Sequence, residues 1–379
     1  MKDLSLFYAT NRQHQGAEES PTGYGSSFSA DGMENLRFGR VRLPVDEGRL
    51  AEGLTRSGAY GEGDGLGLAG YLAEQAEKMV ITPYRESIPD RKIAEVDQPG
   101  TVLGSKAMFA EIRAAMENKT DVLVYVHGFN ISWRDAVCSA LALQEMLKAC
   151  KQRDRKQELL VVLFTWPSDG LALPFVSYKS DRSEARGSSG AFGRGVLKLR
   201  DFLYEICKVT GQPCGENIHL LCHSMGNYLL QEALQRLDDY TPSNSLPRIF
   251  EHVFLCAPDV DDDVFEPGRP LARLPELSRC VTVYYNRQDK AMYVSDYTKG
   301  NPERLGSNGA ARPGHLHHKV NQVDCTAVVR GEGLVEHSYY QMGYVNADIR
   351  LSMDGAALDD LRRKRVKNAQ WGNVWALRS

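Results

Sequence analysis

The stretch Ile218–Leu230, IHLLCHSMGNYLL, decides the fold. Its first five residues are an apolar run that reads as a buried strand. From Met225 to Asp238 (MGNYLLQEALQRLD) apolar residues recur at helical spacing. Only His223 and Ser224 separate the two, so the chain must turn sharply from strand into helix. A serine on such a turn has its hydroxyl lifted off the sheet, and small residues two positions to either side make room for the bend. Gly226 meets that need on one side. Cys222 stands where glycine is usual, and it too is small. The first amides of the following helix point at the turn and favour negative charge there. Ser224 is therefore a candidate nucleophile and the Met225 amide a candidate oxyanion donor. Taken alone, the same residues also read as a serine capping a helix after a buried strand.

Working outward, the pattern of an apolar strand ending in polar residues recurs. Asp121–Val126 (DVLVYV) runs into His127-Gly128-Phe129-Asn130, and Leu159–Thr165 (LLVVLFT) into Trp166-Pro167-Ser168-Asp169. His252–Ala257 (HVFLCA) runs into Pro258-Asp259, and Val281–Tyr285 (VTVYY) into Asn286-Arg287-Gln288-Asp289. Val323–Val329 (VDCTAVV) precedes Glu336-His337-Ser338. Helical candidates lie at Ser105–Asn118, Ser132–Lys151 and Gly195–Lys208. Near-continuous Val, Ile and Leu runs belong to strands buried on both faces. That predicts an α/β fold, a mostly parallel central sheet with helices on both faces, and the strand–turn–helix around Ser224 makes it of the α/β-hydrolase kind. Open sheets of this kind hold ligands just beyond the strand ends, where these polar residues fall. The core is expected over residues 119–345. Residues 1–118 are expected to be loop-rich and to contribute edge strands, Leu4–Thr10 and Leu36–Val45. Residues 346–379 are expected to form a tail, helical over Met353–Lys367. Ser183–Gly195 (SEARGSSGAFGRG) reads as a flexible insertion, either a lid or an ordinary surface loop.

A serine hydroxyl needs an adjacent base, which an acid in turn orients. His337, after the last strand, is the expected base. Asp289, just past VTVYY, is the expected acid. Asp259 is the alternative acid, although Asp261, Asp262 and Asp263 beside it give it the look of an acidic loop. His252 opens a strand and would lie at the wrong end of the sheet. His315, His317 and His318 are the alternative base or a metal cluster. No third ligand type recurs near them at fixed spacing, so no metal or cofactor is expected. The Phe129 amide is the expected second oxyanion donor, with Asn130 next in line, and Gly128 lets the backbone approach closely. His127 reads chiefly as support for that loop. His127, Asn130 and Trp166 are candidate substrate contacts. Asp169, Asp181 and Arg182 rank behind them, with turns or ion pairs as their plainer readings.

The remaining composition narrows the function classes. Of 379 residues 42% are hydrophobic, ample for a core. A net charge of −3 supplies no field to draw nucleic acid or an anionic membrane. The basic run in Asp359–Lys367 (DDLRRKRVK) reads as a solvated helix face. No stretch reaches the ~20 apolar residues of a membrane span, and the first residues lack the apolar centre of a signal peptide. The eight cysteines form no C-x-x-C pair, and Cys222, Cys256 and Cys325 sit inside apolar runs. Reduced thiols and a cytoplasmic location are expected. The expected partner is a small-molecule ester or acyl substrate; oligomeric state leaves no trace in the sequence.

Several landmarks carry a family resemblance. They are Phe7-Tyr8-Ala9-Thr10-Asn11-Arg12, Val126-His127-Gly128-Phe129-Asn130, Phe164-Thr165-Trp166-Pro167-Ser168, and Tyr178 with Asp181, Arg182, Ala185 and Ser188. They continue with His223-Ser224-Met225-Gly226-Asn227, Ala257-Pro258-Asp259 and His337-Ser338-Tyr339-Tyr340. Together they resemble an uncharacterised bacterial group of α/β-hydrolases, esterase/lipase-like, over residue 4 to about 345. The resemblance implies a serine nucleophile and ester-type activity, and no particular substrate. The expected function is cleavage of a carboxylic ester through an acyl-enzyme on Ser224, with a thioester or amide open to the same triad. The alternative is a catalytically inactive binding module on the same fold.

Overall fold

Successive residues of a strand face opposite sides of its sheet, and the central strands here are apolar on both. Leu221 packs into a cluster with Ala136, Leu141 and Ile349, whereas Leu220 and Cys222 pack into a second cluster with Leu229, Ala233 and Phe192. The computed structural model describes residues 1–55, 57–58, 61–85, 104–117, 120–150, 158–168, 174–210, 217–240, 246–292, 303–329 and 334–379.

Among these residues an eleven-stranded sheet organises the chain. Its strands are β1 (Lys2–Thr10), β2 (Arg37–Val45), β3 (Val80–Pro83), β4 (Thr120–Val126), β5 (Glu158–Thr165) and β6 (Ile218–His223), followed by β7 (Phe250–Cys256), β8 (Ser278–Tyr285), β9 (Val320–Asp324), β10 (Arg365–Lys367) and β11 (Val374–Leu377). Their spatial order is β10-β11-β9-β8-β7-β6-β4-β5-β1-β2-β3. Every ladder from β11 across to β1 is parallel, and only the outermost pairings are antiparallel. This is the α/β-hydrolase architecture. Helices α1 (Gly65–Glu74), α2 (Trp133–Ala149) and α3 (Gly343–Met353) cover one face. Helices α4 (Gly104–Glu117), α5 (Pro174–Thr210) and α6 (Met225–Tyr240) contribute to the other. β4 lies between β5 and β6, so the strand order reverses at its carboxyl end. That reversal opens a crevice beside Val126 and His223.

The structure corrects three expectations. Ser183–Gly195 is not a loop, for it lies inside the helix Pro174–Thr210. Its glycines and serines, poor helix formers in isolation, let the helix approach its neighbours. A Cβ at Gly187 would lie 2.8 Å from the Phe28 ring, and Ser188 Oγ accepts from Asn11 Nδ2 at 3.0 Å. Val323–Val329 is strand only to Asp324, and the chain then turns. The tail does not form one helix over Met353–Lys367, where the only helical piece beyond Met353 is the 3₁₀ turn Leu361–Arg363. Gly355, at φ 82°, ends the preceding helix: its amide meets Ser352 O at 3.0 Å, and that of Ala356 meets Leu351 O at 2.9 Å. Arg365–Lys367 and Val374–Leu377 then extend the sheet, because Arg363 and Arg365 are drawn onto the buried carboxylate of Asp348.

Candidate active site

β6 delivers Ser224 into the crevice through a strained turn. Ser224 has φ 51°, a region an L-residue enters at a cost of about 1–2 kcal/mol. Such strain persists where surrounding bonds over-determine it. The Ser224 amide donates to Cys256 O at 3.0 Å. Asn227 Nδ2 reaches the carbonyls of Cys222, Ser224 and Cys256 at 3.1, 3.0 and 3.3 Å. Two glycines let the backbones close in: a Cβ at Gly226 would sit 2.7 Å from His127 O, and one at Gly128 2.7 Å from Ser224 Cβ. The loop after β4 therefore lies directly against the serine. Among the described residues no backbone acceptor takes the Phe129 or Met225 amide.

His337 closes a short helix, Leu334–His337, and its Nδ1 lies 2.8 Å from Asp289 Oδ2. Its side chain is only 12% exposed. Three clamps fix this segment. Asn286 Nδ2 donates to Glu336 O at 3.1 Å, and His223 Nε2 donates to His337 O at 3.1 Å. Tyr339 Oη donates to Tyr284 O at 2.9 Å and accepts from the Ala257 amide at 3.0 Å. The His223 and His337 rings are 4.7 Å apart, so the imidazole of His337 stands beside the residue preceding Ser224. With Nδ1 engaged by Asp289, Nε2 has no protein partner among the described residues, and neither has the Ser224 hydroxyl.

Burial alone would lower the His337 pKa; the adjacent Asp289 carboxylate, with help from Asp259, outweighs it and raises the pKa above the ordinary histidine value. His223 is pushed the other way, well below that value, by burial and by His337. It stays neutral, with its proton on Nε2. Asp259 is occupied elsewhere: it accepts from Tyr178 Oη at 2.8 Å and lies 3.5 Å from Arg304 Nε. Asp289 is thus the carboxylate brought to His337. His252 stacks on His219 and Phe254 near the start of β7, and His315, His317 and His318 lie exposed before β9. All four sit away from the carboxyl edge that holds Ser224.

The loop candidates separate differently. His127 is fully buried, its ring stacked on that of Trp166 at 5.2 Å. Its Nδ1 donates to Gly128 O at 2.8 Å, and its Nε2 accepts from Thr165 Oγ1 at 3.0 Å. Burial, then the charge of Arg12, pushes its pKa down to about 3. Trp166 is fully buried as well and donates from its indole to His127 O at 3.2 Å. Neither presents a surface to a ligand, so both fit the plainer reading, His127 as support for the loop and Trp166 as packing, rather than candidate substrate contacts. The Asn130 amide donates to Asp181 Oδ2 at 2.9 Å, which removes it as the reserve oxyanion donor. Arg182 lies over the Tyr228 ring at 3.4 Å. Asp169 lies outside the described residues.

The family described as "Alpha/beta hydrolase of unknown function (DUF900)" matches residues 105–349. The chain belongs to this family. An uncharacterised Nostoc sp. protein, alr1448, is 26% identical over 218 residues, covering 46% of this chain and 53% of that protein. The chain thus spans about half the length of that relative. Among solved structures, it is similar to an inhibited esterase B from Lactobacillus rhamnosis (12% identity, 62% of this chain and 77% of that one, TM-score 0.31) and to Aspergillus fumigatus lipase B (12% identity, 76% and 69%, TM-score 0.35). In this α/β hydrolase several site residues had been given no role from sequence. Asn227, Asn286, Tyr339 and His223 act on backbone groups of distant segments. Asn286 was marked only by its position near Asp289, whereas His223, Asn227 and Tyr339 stand among the landmarks of the family resemblance.

Proposed function

We propose that this α/β hydrolase cleaves carboxylic esters through an acyl-enzyme on Ser224. One observation carries the reading: the left-handed Ser224 follows His223, whose ring lies 4.7 Å from that of His337, and Asp289 holds His337 by Nδ1 while Nε2 has no protein partner among the described residues. His337 Nε2 takes the Ser224 proton as Oγ attacks the ester carbonyl carbon. The Phe129 and Met225 amides hold the resulting oxyanion. The C–O bond to the alcohol then breaks, and His337 returns the proton to the departing alkoxide. Water attacks the acyl-enzyme with His337 again as base, releasing the acid and restoring Ser224. Asp289 keeps the proton of neutral His337 on Nδ1 and stabilises the imidazolium. The free thiols of Cys138, Cys222, Cys256 and Cys325 accord with a reducing, cytoplasmic setting.

The test is a fluorophosphonate probe on the purified protein. Labelling of wild type and none of Ser224→Ala supports the reading; a folded wild type that does not label sinks it. A panel of p-nitrophenyl esters then measures the preferred acyl length.

A further inference from the structure

The loop that carries the Phe129 amide is gripped from two sides by buried ionic groups. Asp181, fully buried on α5, accepts the Asn130 amide at 2.9 Å and the Ser168 hydroxyl. Ser168 Oγ in turn accepts the Ile131 amide at 2.9 Å. From the other side comes Arg12, 1% exposed, two residues past β1. Its guanidinium donates to Ile131 O at 2.8 Å, to Ser168 O and Gly25 O at 3.0 Å each, and to Thr165 Oγ1 at 2.9 Å. A directed chain of hydrogen bonds continues from there. Thr165 Oγ1, accepting from Arg12, has its own proton free to donate to His127 Nε2, and His127 Nδ1 then donates to Gly128 O. Both peptide groups flanking Phe129 are thereby fixed, the Gly128 carbonyl through Arg12 and the Asn130 amide through Asp181. Asn130, at φ 59°, is held in the left-handed turn this requires.

Hydrogen bonds to ionised groups are shorter and roughly twice as strong as neutral ones. A carboxylate on one loop amide, and through Ser168 behind a second, with a guanidinium on a loop carbonyl, suits a segment that must hold one amide still as charge develops in front of it. We propose that Arg12 and Asp181 are positioning residues that aim the Phe129 amide at the oxyanion. The inference rests on Ser224 being the nucleophile. Neither residue touches the substrate. The N-terminal segment thereby acquires a part in catalysis, through a side chain more than 100 residues upstream of the loop it steadies.

The experiment compares wild type, Arg12→Lys, Asp181→Asn and Ser224→Ala in p-nitrophenyl acetate hydrolysis and in affinity for a boronic-acid transition-state analogue. A displaced oxyanion donor costs roughly 10- to 100-fold in rate. Arg12→Lys and Asp181→Asn are expected to lose that factor in kcat with KM within about twofold. Analogue affinity should fall in parallel. Wild-type kcat in either folded variant, or a loss carried by KM with analogue affinity retained, overturns the proposal. Should both variants fail to fold, Ser168→Ala decides in the same readouts. A fall in kcat at constant KM supports the clamp, and wild-type kcat overturns it. An inactive wild type, or a Ser224→Ala as active as wild type, refutes the nucleophile assignment instead and is recognised without the clamp variants.

Discussion

Asp289 accepts the Nδ1 proton of His337 at 2.8 Å, and this contact sets how the imidazole titrates. The carboxylate raises the pKa of His337 despite burial. To act as the proposed base, His337 must be neutral, so kcat/KM should climb only as pH rises through that raised value. The stability contribution has the opposite sense. A folded-state pKa above the unfolded one gives stability that is full below the unfolded value of about 6.5 and is lost as pH rises through the folded value. In Asp289→Asn the rising limb of kcat/KM should move to lower pH and kcat should fall by on the order of 10⁴-fold. Ester hydrolysis across pH 5–9 measures both; an unmoved limb would show that Asp289 does not control the base.

Ser224, the proposed nucleophile, also sits on a strained turn, so the two roles can be separated by substitution. Ser224→Gly relaxes φ 51°, whereas Ser224→Ala keeps the penalty. The glycine variant should be more stable than the alanine variant by about 1 kcal/mol, the larger unfolded-state entropy of glycine offsetting part of the relief. Both should be inactive. Urea denaturation midpoints of the two proteins provide the comparison.

Gly128 tests the close approach of the loop to the serine. A methyl group at this position would lie 2.7 Å from Ser224 Cβ and 3.2 Å from His223 Nδ1. Something must move, at about 1–3 kcal/mol. Gly128→Ala should lower the melting temperature and reduce kcat by more than 10-fold, while Gly70→Ala, with nothing within 4 Å, should leave activity unchanged.

Asp348 ties the C-terminal strands to the core. Arg365 and Arg363 hold its pKa below the ordinary aspartate value although burial opposes them. A depressed carboxyl pKa gives stability that is present above the unfolded value and lost as pH falls through the folded one. Asp348→Asn should therefore cost roughly 3–5 kcal/mol near neutrality, leaving two buried guanidinium groups without their counter-charge. The deficit relative to wild type should shrink below pH 4. Chemical denaturation at pH 7 and pH 3.5 reads it.

How far the sequence revealed this depended on whether the cause was local. Strands buried on both faces leave apolar runs whatever surrounds them, so β4 to β8 could be placed to within a few residues. The proposed nucleophile Ser224 stands out in the sequence because strand, turn and helix are contiguous, and the proposed base His337 and acid Asp289 because each follows a strand. The tail misled because DDLRRKRVK has helix-compatible composition, while its conformation is dictated by Asp348, a partner outside the run. The Ser183–Gly195 segment misled because glycine and serine lower helix propensity locally, and packing against Phe28 and Asn11 overrides that. Arg12 and Asn227 stood in recognisable motifs without a role, and Asp181 only as a low-ranked substrate contact. Their partners are backbone groups of remote loops, and a peptide carbonyl has no signature in a sequence.

The pairing of β1 with β5 has a kinetic consequence. Phe7 is in register with Val162, and Thr10 Oγ1 donates to Thr165 O across 155 positions of chain. β1 thus leaves the ribosome well before its parallel neighbour β5 is made. Closing so long a loop adds little to the equilibrium cost, because loop entropy grows only with the logarithm of length. It delays folding instead, as non-local pairing does in general. Through that interval Phe7 to Thr10 have only β2 beside them, and their other edge stands open to mispairing.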